Sequence, residues 1–466
     1  MIKILLIQPP IQEEINTRLP ESMNKVQGVF PPLPFAYIAA SLERVGYNVK
    51  IYDTIAENST SDEIKAFVEN EKPDIVGIGC ITSLIRSSMN VAKIAKEVGA
   101  VVIFGGPHME IYPKETLRHS SFVDYGIVGE ADLSFAELVQ NLDRRMSVES
   151  VPGLVYRKKN QIIVNKPKII TNLDDLPFPA RHLLPLDKYS CIIAPSNFTT
   201  MVTSRGCMYR CDFCFQAKHK MRMRSVLNII AEIEECIQKY NVKEIMFYDD
   251  LFTVDRQRVV DICNEIIKRK IKVTWEAPTR VDCVDRKLLE LMKEAGCIRL
   301  RYGVESGNNH ILKLMNKQTT TEEIERVFKM THEVGIETFG YFMIGYYKEN
   351  ERTIQKTIDF AKKLNPDWVM FTAATPLPDT GLFRIAVDEG IVDADYWKNY
   401  IDGKVQGRIP YFVEDADEWV RKAYRAYYFR PKYFLKKLRR LNSLDTLRKY
   451  MSGMLSILFF KMYNKF

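Results

Sequence analysis

The sequence predicts two parallel α/β units in series, followed by a helical tail. Three observations carry that expectation. Short apolar runs alternate with helical patterns over the first 145 or so residues, six longer strand–helix units follow from Thr200, and the alternation stops near residue 395. Strands separated by helices in this rhythm form parallel sheets with helices on their faces. At 466 residues the chain is too long for one ordinary domain. Its 46% hydrophobic and 27% charged residues are those of a globular protein. No apolar run approaches the roughly 20 residues that a membrane-crossing helix needs.

The first domain is read over residues 1–145. Ile2–Ile7 is an apolar run ending at Pro9-Pro10, and Phe35–Val45 has helical spacing. Tyr47–Tyr52 alternates, and a helix follows near Ser61–Val68, with Ser61 as its expected N-cap and Asp62 and Glu63 in the first turn. Asp74–Gly79, Ala100–Phe104 and Tyr125–Gly129 are the next strands, and Ala131–Leu142 is a helix. Ligands on such sheets sit at the carboxyl ends of the strands, near the switch in strand order. Thr82-Ser83, Gly105-Gly106-Pro107-His108 and Gly129-Glu130 stand at those ends. Glycines there let a backbone approach a bulky ligand.

Residues 146–196 read as a connector. It contains a hairpin across Lys158-Lys159-Asn160 and a proline-stiffened stretch, Leu176–Arg181. From 197 to 395 the strands expected are Thr200–Thr203, Glu244–Tyr248, Lys272–Trp275, Ile298–Tyr302, Glu337–Ile344 and Trp368–Thr372, with helices such as Val226–Tyr240, Arg256–Lys268 and Arg286–Ala295 between them. Six such units make a partial (β/α)6 barrel of the TIM type, whose reactive residues cluster at the carboxyl ends of the strands.

The chemistry centres on Arg205-Gly206-Cys207-Met208-Tyr209-Arg210-Cys211-Asp212-Phe213-Cys214, directly after the first barrel strand. Three thiolates at C-x-x-x-C-x-x-C can converge on one metal centre, yet they are one ligand short of a closed tetrahedral site. Structural zinc and structural clusters use four protein ligands, so three leave an iron open to a substrate or cofactor. A Cys3His zinc site completed by His219 is the competing reading. The other six cysteines (Cys80, Cys191, Cys236, Cys263, Cys283, Cys297) are scattered in mostly apolar segments, and no secretory signal is read at the start. That usage fits a reducing compartment, and a cytoplasmic location is expected.

With Phe213 just before its last cysteine, the motif resembles the cluster motif of the radical S-adenosylmethionine (SAM) superfamily. The G-G-P-H and G-E strand ends resemble the cobalamin-binding domain that precedes many radical SAM domains. Together the resemblances cover roughly residues 1–395. They imply a Rossmann-like cobalamin-binding domain ahead of a radical SAM partial barrel. The cofactors implied are a 4Fe-4S cluster on Cys207, Cys211 and Cys214, SAM, and cobalamin. For SAM the resemblance implicates Phe213, the strand-two end Asp249-Asp250, Arg280 after strand three as a carboxylate clamp, Glu305-Ser306 after strand four, and Gly345 after strand five. For cobalamin it implicates Thr82, Ser83, Gly105, Gly106, Gly129 and Glu130.

Three departures from the family pattern stand out. The D-x-H-x-x-G motif that supplies a lower histidine ligand to cobalt is absent, as is common in cobalamin-dependent radical SAM enzymes, and His108 reads as structural. Tyr346-Tyr347-Lys348-Glu349 replaces the usual P-G continuation after strand five. Asp379 replaces the glycine of the P-x-P-G-T loop in Pro376-Leu377-Pro378-Asp379-Thr380.

The tail, 396–466, is read as helical, basic and aromatic. Residues 421–466 hold 13 Lys/Arg against one acid, Asp445, for a net +12, whereas the preceding 420 residues are net −4. Trp419–Tyr433 interleaves basic and aromatic residues, and Tyr433–Leu441 is amphipathic. Such a segment either docks on an anionic membrane surface or packs its aromatic face on the barrel. Nucleic acid is not the expected partner, although a basic patch alone does not separate lipid phosphates from those of RNA.

The function implied is a cobalamin-dependent radical SAM C-methyltransferase acting on an unactivated carbon of a small-molecule or lipid substrate. A 5′-deoxyadenosyl radical would abstract hydrogen, methylcobalamin would supply the methyl group, and flavodoxin or ferredoxin would supply the electron. The alternatives are radical cyclisation, rearrangement or carbon–carbon coupling without methyl transfer, and a non-enzymatic zinc-stabilised cobalamin- or membrane-binding protein. A tRNA methylthio-transferring relative does not fit, because the N-terminal part lacks further cluster-type cysteines.

Overall fold

The computed structural model describes residues 2–11, 28–191, 193–194, 197–215, 220–405 and 409–433. Its contacts divide the chain into two compact units. His219 and the amphipathic stretch beyond Tyr433 lie outside the described residues.

The first unit is a parallel sheet of β1 (Ile4–Gln8), β2 (Val49–Asp53), β3 (Ile75–Gly79), β4 (Val101–Gly105) and β5 (Tyr125–Ile127), ordered β2-β1-β3-β4-β5. Helices α1 (Leu33–Arg44), α2 (Ser61–Glu71), α3 (Ile85–Glu97), α4 (Pro107–Ile111), α5 (Pro113–His119) and α6 (Ala131–Asp143) accompany it. β1 and β3 read as unbroken apolar runs because helices cover both faces of a parallel sheet. Gly77 leaves room for Phe135 of α6 to lie on the sheet, since a Cβ there would come within 2.8 Å of its ring.

Element ends shift by a few residues from the sequence expectation throughout, for example Phe198–Met201 for the strand expected at Thr200–Thr203 and Thr274–Thr279 for that expected at Lys272–Trp275, and two differences bear on how the first unit is built. The N-cap of α2 is Thr60 rather than Ser61. Its side chain accepts from the Glu63 amide while the Glu63 carboxylate reaches back to the Thr60 N–H, and this reciprocal pair fixes the helix start. The stretch expected as a connector is largely built into the first unit. β6 (Leu154–Lys158) and β7 (Gln161–Val164) form the expected hairpin, and β6 pairs antiparallel with β5, so the sheet gains two strands. Residues 394–405 return to this unit as well. Within it Tyr400 donates to the Ser83 carbonyl (3.3 Å), and the Arg86 guanidinium stacks 4.4 Å over the Tyr400 ring.

The second unit is a six-stranded curled parallel sheet, a half-barrel ordered β15-β14-β13-β12-β11-β8. Its strands are β8 (Phe198–Met201), β11 (Glu244–Phe247), β12 (Thr274–Thr279), β13 (Cys297–Glu305), β14 (Glu337–Ile344) and β15 (Trp368–Ala373), with a short antiparallel ribbon, β9 (Ser204–Arg205) and β10 (Arg222–Met223), after β8. The helices are α7 (Val226–Tyr240), α8 (Arg256–Lys268), α9 (Arg286–Glu294), α10 (Asn309–Leu314), α11 (Thr321–Val334), α12 (Glu351–Leu364), α13 (Gly381–Asp388) and α14 (Ala416–Tyr428). One face of each strand joins the apolar core under the helices, through residues such as Ile245, Trp275, Leu300, Phe342 and Phe371.

The opposite face carries charge near its base. Glu276, Arg299 and Glu337 sit side by side across three strands. Arg299 pairs with both carboxylates, at 2.5 and 3.0 Å, and lies 3.8 Å from Glu244. Burial opposes the Arg299 charge, but these three carboxylates outweigh it and raise the guanidinium pKa. Glu244, more weakly paired, is pushed up to about 7 by burial.

α14 covers the free edge of β15. Tyr424 Oη accepts from the Phe371 amide (3.1 Å), and Tyr428 Oη accepts from the Val369 amide (3.2 Å) and donates to its carbonyl (3.1 Å). Tyr427 and Tyr433 donate to the Pro366 and Asp367 carbonyls. The aromatic residues of Trp419–Tyr433 are thus packed on the barrel, which is the second of the two roles open to them in the sequence.

Two departures from the family pattern have a backbone explanation. Lys348 and Asp379 adopt φ values of +61° and +60°, the left-handed region that favours glycine. A non-glycine residue holds that conformation at some cost in strain.

Replacing Lys348 by Gly is therefore expected to raise the unfolding free energy by about 0.5–1 kcal/mol in denaturant titration. Tyr424→Phe, which strands the buried Phe371 amide, should cost about 1–3 kcal/mol. Tyr347→Phe, which loses only an exposed contact with Glu389, should cost about 0.5 kcal/mol or less.

Candidate active site

The three cysteines share one loop at the carboxyl end of β8. Cys211 is buried, and Cys207 and Cys214 are half-buried. The loop is tied down along its length. Gly206 N–H donates to the Asp250 carboxylate (3.1 Å), Asp212 N–H to the Met315 carbonyl (3.1 Å), and the Asn316 side-chain amide to the Arg210 carbonyl (2.7 Å). Leu382 N–H donates to the Asp212 carbonyl (2.8 Å), and Gly381 lies so near Asp212 that a Cβ would meet it at 3.0 Å. Among the described residues no three His, Cys, Asp or Glu side chains stand close enough to share one metal ion. The thiolates of an iron–sulfur cluster each bind a different iron, so they need not meet at a point.

Asp249 anchors the start of this loop. Its carboxylate accepts from the Thr203 amide (2.6 Å), the Thr203 hydroxyl and the Ser204 hydroxyl (2.7 Å), and it lies 3.6 Å from the Arg258 guanidinium. Arg258 donates in turn to the Thr203 and Phe252 carbonyls. Of the two aspartates expected near SAM, the structure therefore places Asp249 within the wall and leaves Asp250 exposed beside Gly206.

Arg280, expected as a carboxylate clamp, grips a carboxylate of this chain. Its Nε and Nη2 both bond Asp282 at 2.9 Å, its Nη2 also donates to the Lys317 carbonyl (2.7 Å), and its guanidinium lies 3.6 Å over the Tyr209 ring. It thereby joins the cysteine loop, the β12 end and the turn after α10. Burial opposes its charge, and Asp282 outweighs that penalty.

Lys317 is a residue that the sequence reading passed over. It is buried, its Nζ pairs with Glu305 Oε1 at 2.9 Å, and it lies 5.9 Å from the Phe213 ring centroid. Burial raises the Cys211 thiol pKa, while Lys317 and Arg280 pull it back toward the thiolate. Glu305 ends β13 with φ +65°, a strained conformation for a non-glycine at a strand end. Ser306 is fully buried and bonded to Thr357 (3.2 Å), so it fixes the strand end against α12.

Gly345, with φ +79°, ends β14. Its amide and that of Tyr346 both donate to Glu349 Oε2, at 2.8 and 2.9 Å. Burial pushes the Glu349 pKa up to about 7, and its Oε1 has no hydrogen-bond partner among the described residues. Glu349 was quoted in the sequence only as part of the departure after strand five and given no role, although a Glu four residues after a strand-end glycine was the available signal. No such signal marks Lys317, whose role comes from the fold of the turn after α10.

In the first unit the expected residues stand at the carboxyl ends of β3, β4 and β5. Thr82 and Ser83 are buried beside β3, where the strand order switches between β1 and β3. A Cβ at Gly105 would meet open space, whereas Gly106, with φ +105°, would drive one to 2.8 Å from the Cys80 carbonyl oxygen. Gly129 takes φ +79° against Pro167, and Glu130 accepts from the Ile170 amide (2.9 Å). His108 is fully buried, with Nδ1 3.1 Å from the Thr82 hydroxyl and Nε2 3.0 Å from that of Thr116. Burial lowers its pKa to about 3. Both ring nitrogens are spoken for, as a structural histidine requires.

Comparison with known proteins agrees with this geometry. The family model described as the radical SAM superfamily matches residues 201–361, and the one described as the B12 binding domain matches residues 22–139. An uncharacterized methyltransferase, PH0819, of Pyrococcus horikoshii is 34% identical over 446 residues, covering 94% of this chain and 95% of that protein. An anaerobic magnesium-protoporphyrin IX monomethyl ester cyclase of Rubrivivax gelatinosus is 30% identical over 374 residues, 77% of this chain and 67% of its own. Among solved structures, the cobalamin-dependent SAM radical enzyme OxsB with aqua-cobalamin and SAM bound has the same fold. Its TM-score is 0.73 at 17% identity, over 98% of this chain and 72% of that one. With a B12-binding domain ahead of the cysteine-bearing half-barrel, the chain belongs to the radical SAM superfamily, in the group that carries both domains.

Proposed function

We propose that the protein is a cobalamin-dependent radical SAM C-methyltransferase. The observation that carries the reading is the three-cysteine loop at the mouth of a half-barrel, in a chain that also has a B12-type sheet with an open strand end at Gly105. Cys207, Cys211 and Cys214 would hold the cluster, and Lys317 and Glu305 would face SAM with a cation for its carboxylate and an acceptor for its polar groups. Phe213, Asp250 and Gly345 complete the expected SAM surroundings, while Asp249 and Arg280 hold the loop and Ser306 holds the β13 end in place. Thr82, Ser83, Gly105, Gly106, Gly129 and Glu130 would hold cobalamin, without His108 as a ligand. When bound, the cofactors supply one-electron cleavage of SAM and a transferable methyl group, which side-chain acids and bases cannot provide.

The methyl-transfer outcome is supported by the name of the Pyrococcus relative. Ring closure without methyl transfer is the second reading, favoured by the Rubrivivax cyclase. A small-molecule or lipid substrate and a flavodoxin or ferredoxin donor belong to both. No described helix is long and apolar enough to cross a membrane.

The deciding experiment is anaerobic absorption and EPR spectroscopy after reconstitution with iron, sulfide and cobalamin, followed by desalting. A reductant-bleached charge-transfer band with retained cobalamin is the expected result. A cluster without retained cobalamin would move the assignment to radical chemistry other than methyl transfer, and a colourless zinc protein would overturn it. Single Cys→Ser changes at positions 207, 211 and 214 should each abolish reductive SAM cleavage, read as 5′-deoxyadenosine. Retained cleavage in all three would remove the cluster assignment.

A further inference from the structure

The inner face of the half-barrel changes character between base and mouth. Side chains alternate across a strand, so with Leu300, Tyr302 and Val304 in the core under the helices, Arg299, Arg301 and Gly303 face inward. At the level of Arg299 that face is filled by ion pairs. One step up, the strand register sets Pro278, Arg301 and Phe339 side by side, and the Phe339 ring lies 4.8 Å from that of Tyr341. The Arg301 guanidinium stands 5.1 Å from the ring of Tyr248, which is 41% exposed just past the end of β11. One cation is thus set among three aromatic side chains.

Arg301 differs from Arg299 in what holds its charge. The Arg299 side chain is 5% exposed and meets three carboxylates. That of Arg301 is 11% exposed, and its one carboxylate among the described residues is Glu276, 3.5 Å from Nε. Neither Arg301 Nε nor Glu276 Oε1 has a hydrogen-bond partner among the described residues, and the other Glu276 oxygen belongs to Arg299. Nη2 donates to the Phe247 carbonyl, and the guanidinium shares a hydrogen bond with the Tyr341 phenol. A guanidinium has five N–H donors, so the chain leaves part of the fork unused. Gly303 is the next inward residue. A Cβ there would come within 2.5 Å of Glu305 Oε1 and 2.7 Å of Lys317 Nζ, so its missing side chain lets that pair lie over the inner face. Arg301 is two residues, about 7 Å, further down the strand. A group gripped by Arg301 is therefore not the group that meets Lys317.

We propose that Arg301 is a substrate-binding residue and that the substrate is an organic oxyanion, a carboxylate or phosphate on an aromatic or apolar body. The inference rests on the radical SAM reading above and adds the substrate class to it. The oxyanion takes the uncommitted donors of the guanidinium, whose planar fork matches both groups. Tyr248, Phe339 and Tyr341 receive the body, which an aromatic wall does through area and ring contact. The rest of the substrate then extends up the inner face, toward the level of Lys317 and Glu305 and the cysteine loop. A neutral or cationic substrate would cover Arg301 and leave it with a share of one distant carboxylate, a costly burial of charge.

The test is equilibrium dialysis of the reconstituted full chain, with SAM, against a small-molecule extract of its native cells, read by mass spectrometry. Apart from the added cofactors, the compounds that the wild type retains should be anions, removed from the extract by an anion exchanger at pH 7. Their retention should fall about tenfold or more in Arg301→Gln and return in part in Arg301→Lys, which restores the charge without the fork. Methyl esterification of the extract should abolish retention of a carboxylate, and phosphatase treatment that of a phosphate monoester. Retained compounds that pass the anion exchanger, anions held equally by Arg301→Gln, or no retained anion at all would each overturn the assignment. Should Arg301→Gln fail to fold, the wild type with the esterified and phosphatase-treated extracts decides, and retention unaffected by both treatments sinks the proposal. Dialysis needs no turnover. A wild type that retains anions but yields no 5′-deoxyadenosine with reductant would remove the radical SAM reading instead, a separate outcome.

Discussion

The Asp249 carboxylate is the constraint on which the site depends. It is a buried charge at the end of β11 that gathers the Thr203 amide and the hydroxyls of Thr203 and Ser204, with Arg258 behind it. A buried carboxylate without such partners would cost several kcal/mol. The end of β8 therefore has one low-energy path, and that path delivers Cys207 to the mouth of the half-barrel. Everything downstream, from the Gly206–Asp250 contact to the Arg280 fork over Tyr209, refines a loop whose start is already fixed.

Around that anchor the buried charges divide into pairs bonded further to the backbone and a pair held by one contact. Arg280–Asp282 and Arg258–Asp249 are also bonded to backbone carbonyls of the chain and act as fasteners. Lys317–Glu305 is a simpler pair, a single 2.9 Å contact at a strained strand end, so its members can exchange one partner for another at lower cost. The Glu276–Arg299–Glu337 row lies further down the inner face, where it fills the base of the half-barrel with ion pairs instead of the branched apolar layers usual in closed barrels.

Much of this was legible in the sequence for concrete reasons. Parallel strands covered on both faces must be apolar throughout, so β1, β3 and β4 announced themselves, and the cysteine spacing is chemically restrictive. Lys348 and Asp379 adopt the left-handed φ that favours glycine, because φ is a property of the backbone and the residue letter records it only as a preference. Arg280 illustrates the opposite limit. Its carboxylate partner is two residues away, and nothing in the letters distinguishes a clamp for a ligand from a clamp for Asp282. Lys317 was invisible because its burial is created by the turn after α10 and by Glu305. The β6–β7 hairpin was read correctly as a hairpin, but its attachment to β5 is a long-range pairing that local pattern does not encode.

The tyrosines of α14 have a consequence beyond holding a helix in place. An open parallel sheet ends in a row of unspent amides and carbonyls, and such a row is a template onto which another extended chain can add. Three of the groups presented by β15, the amides of Val369 and Phe371 and the carbonyl of Val369, are already engaged by phenols. A seventh strand, whether from a neighbouring molecule or a misfolded copy, would have to displace aromatic side chains packed into the core before it could form a ladder. The half-barrel can remain unclosed without being adhesive along that margin.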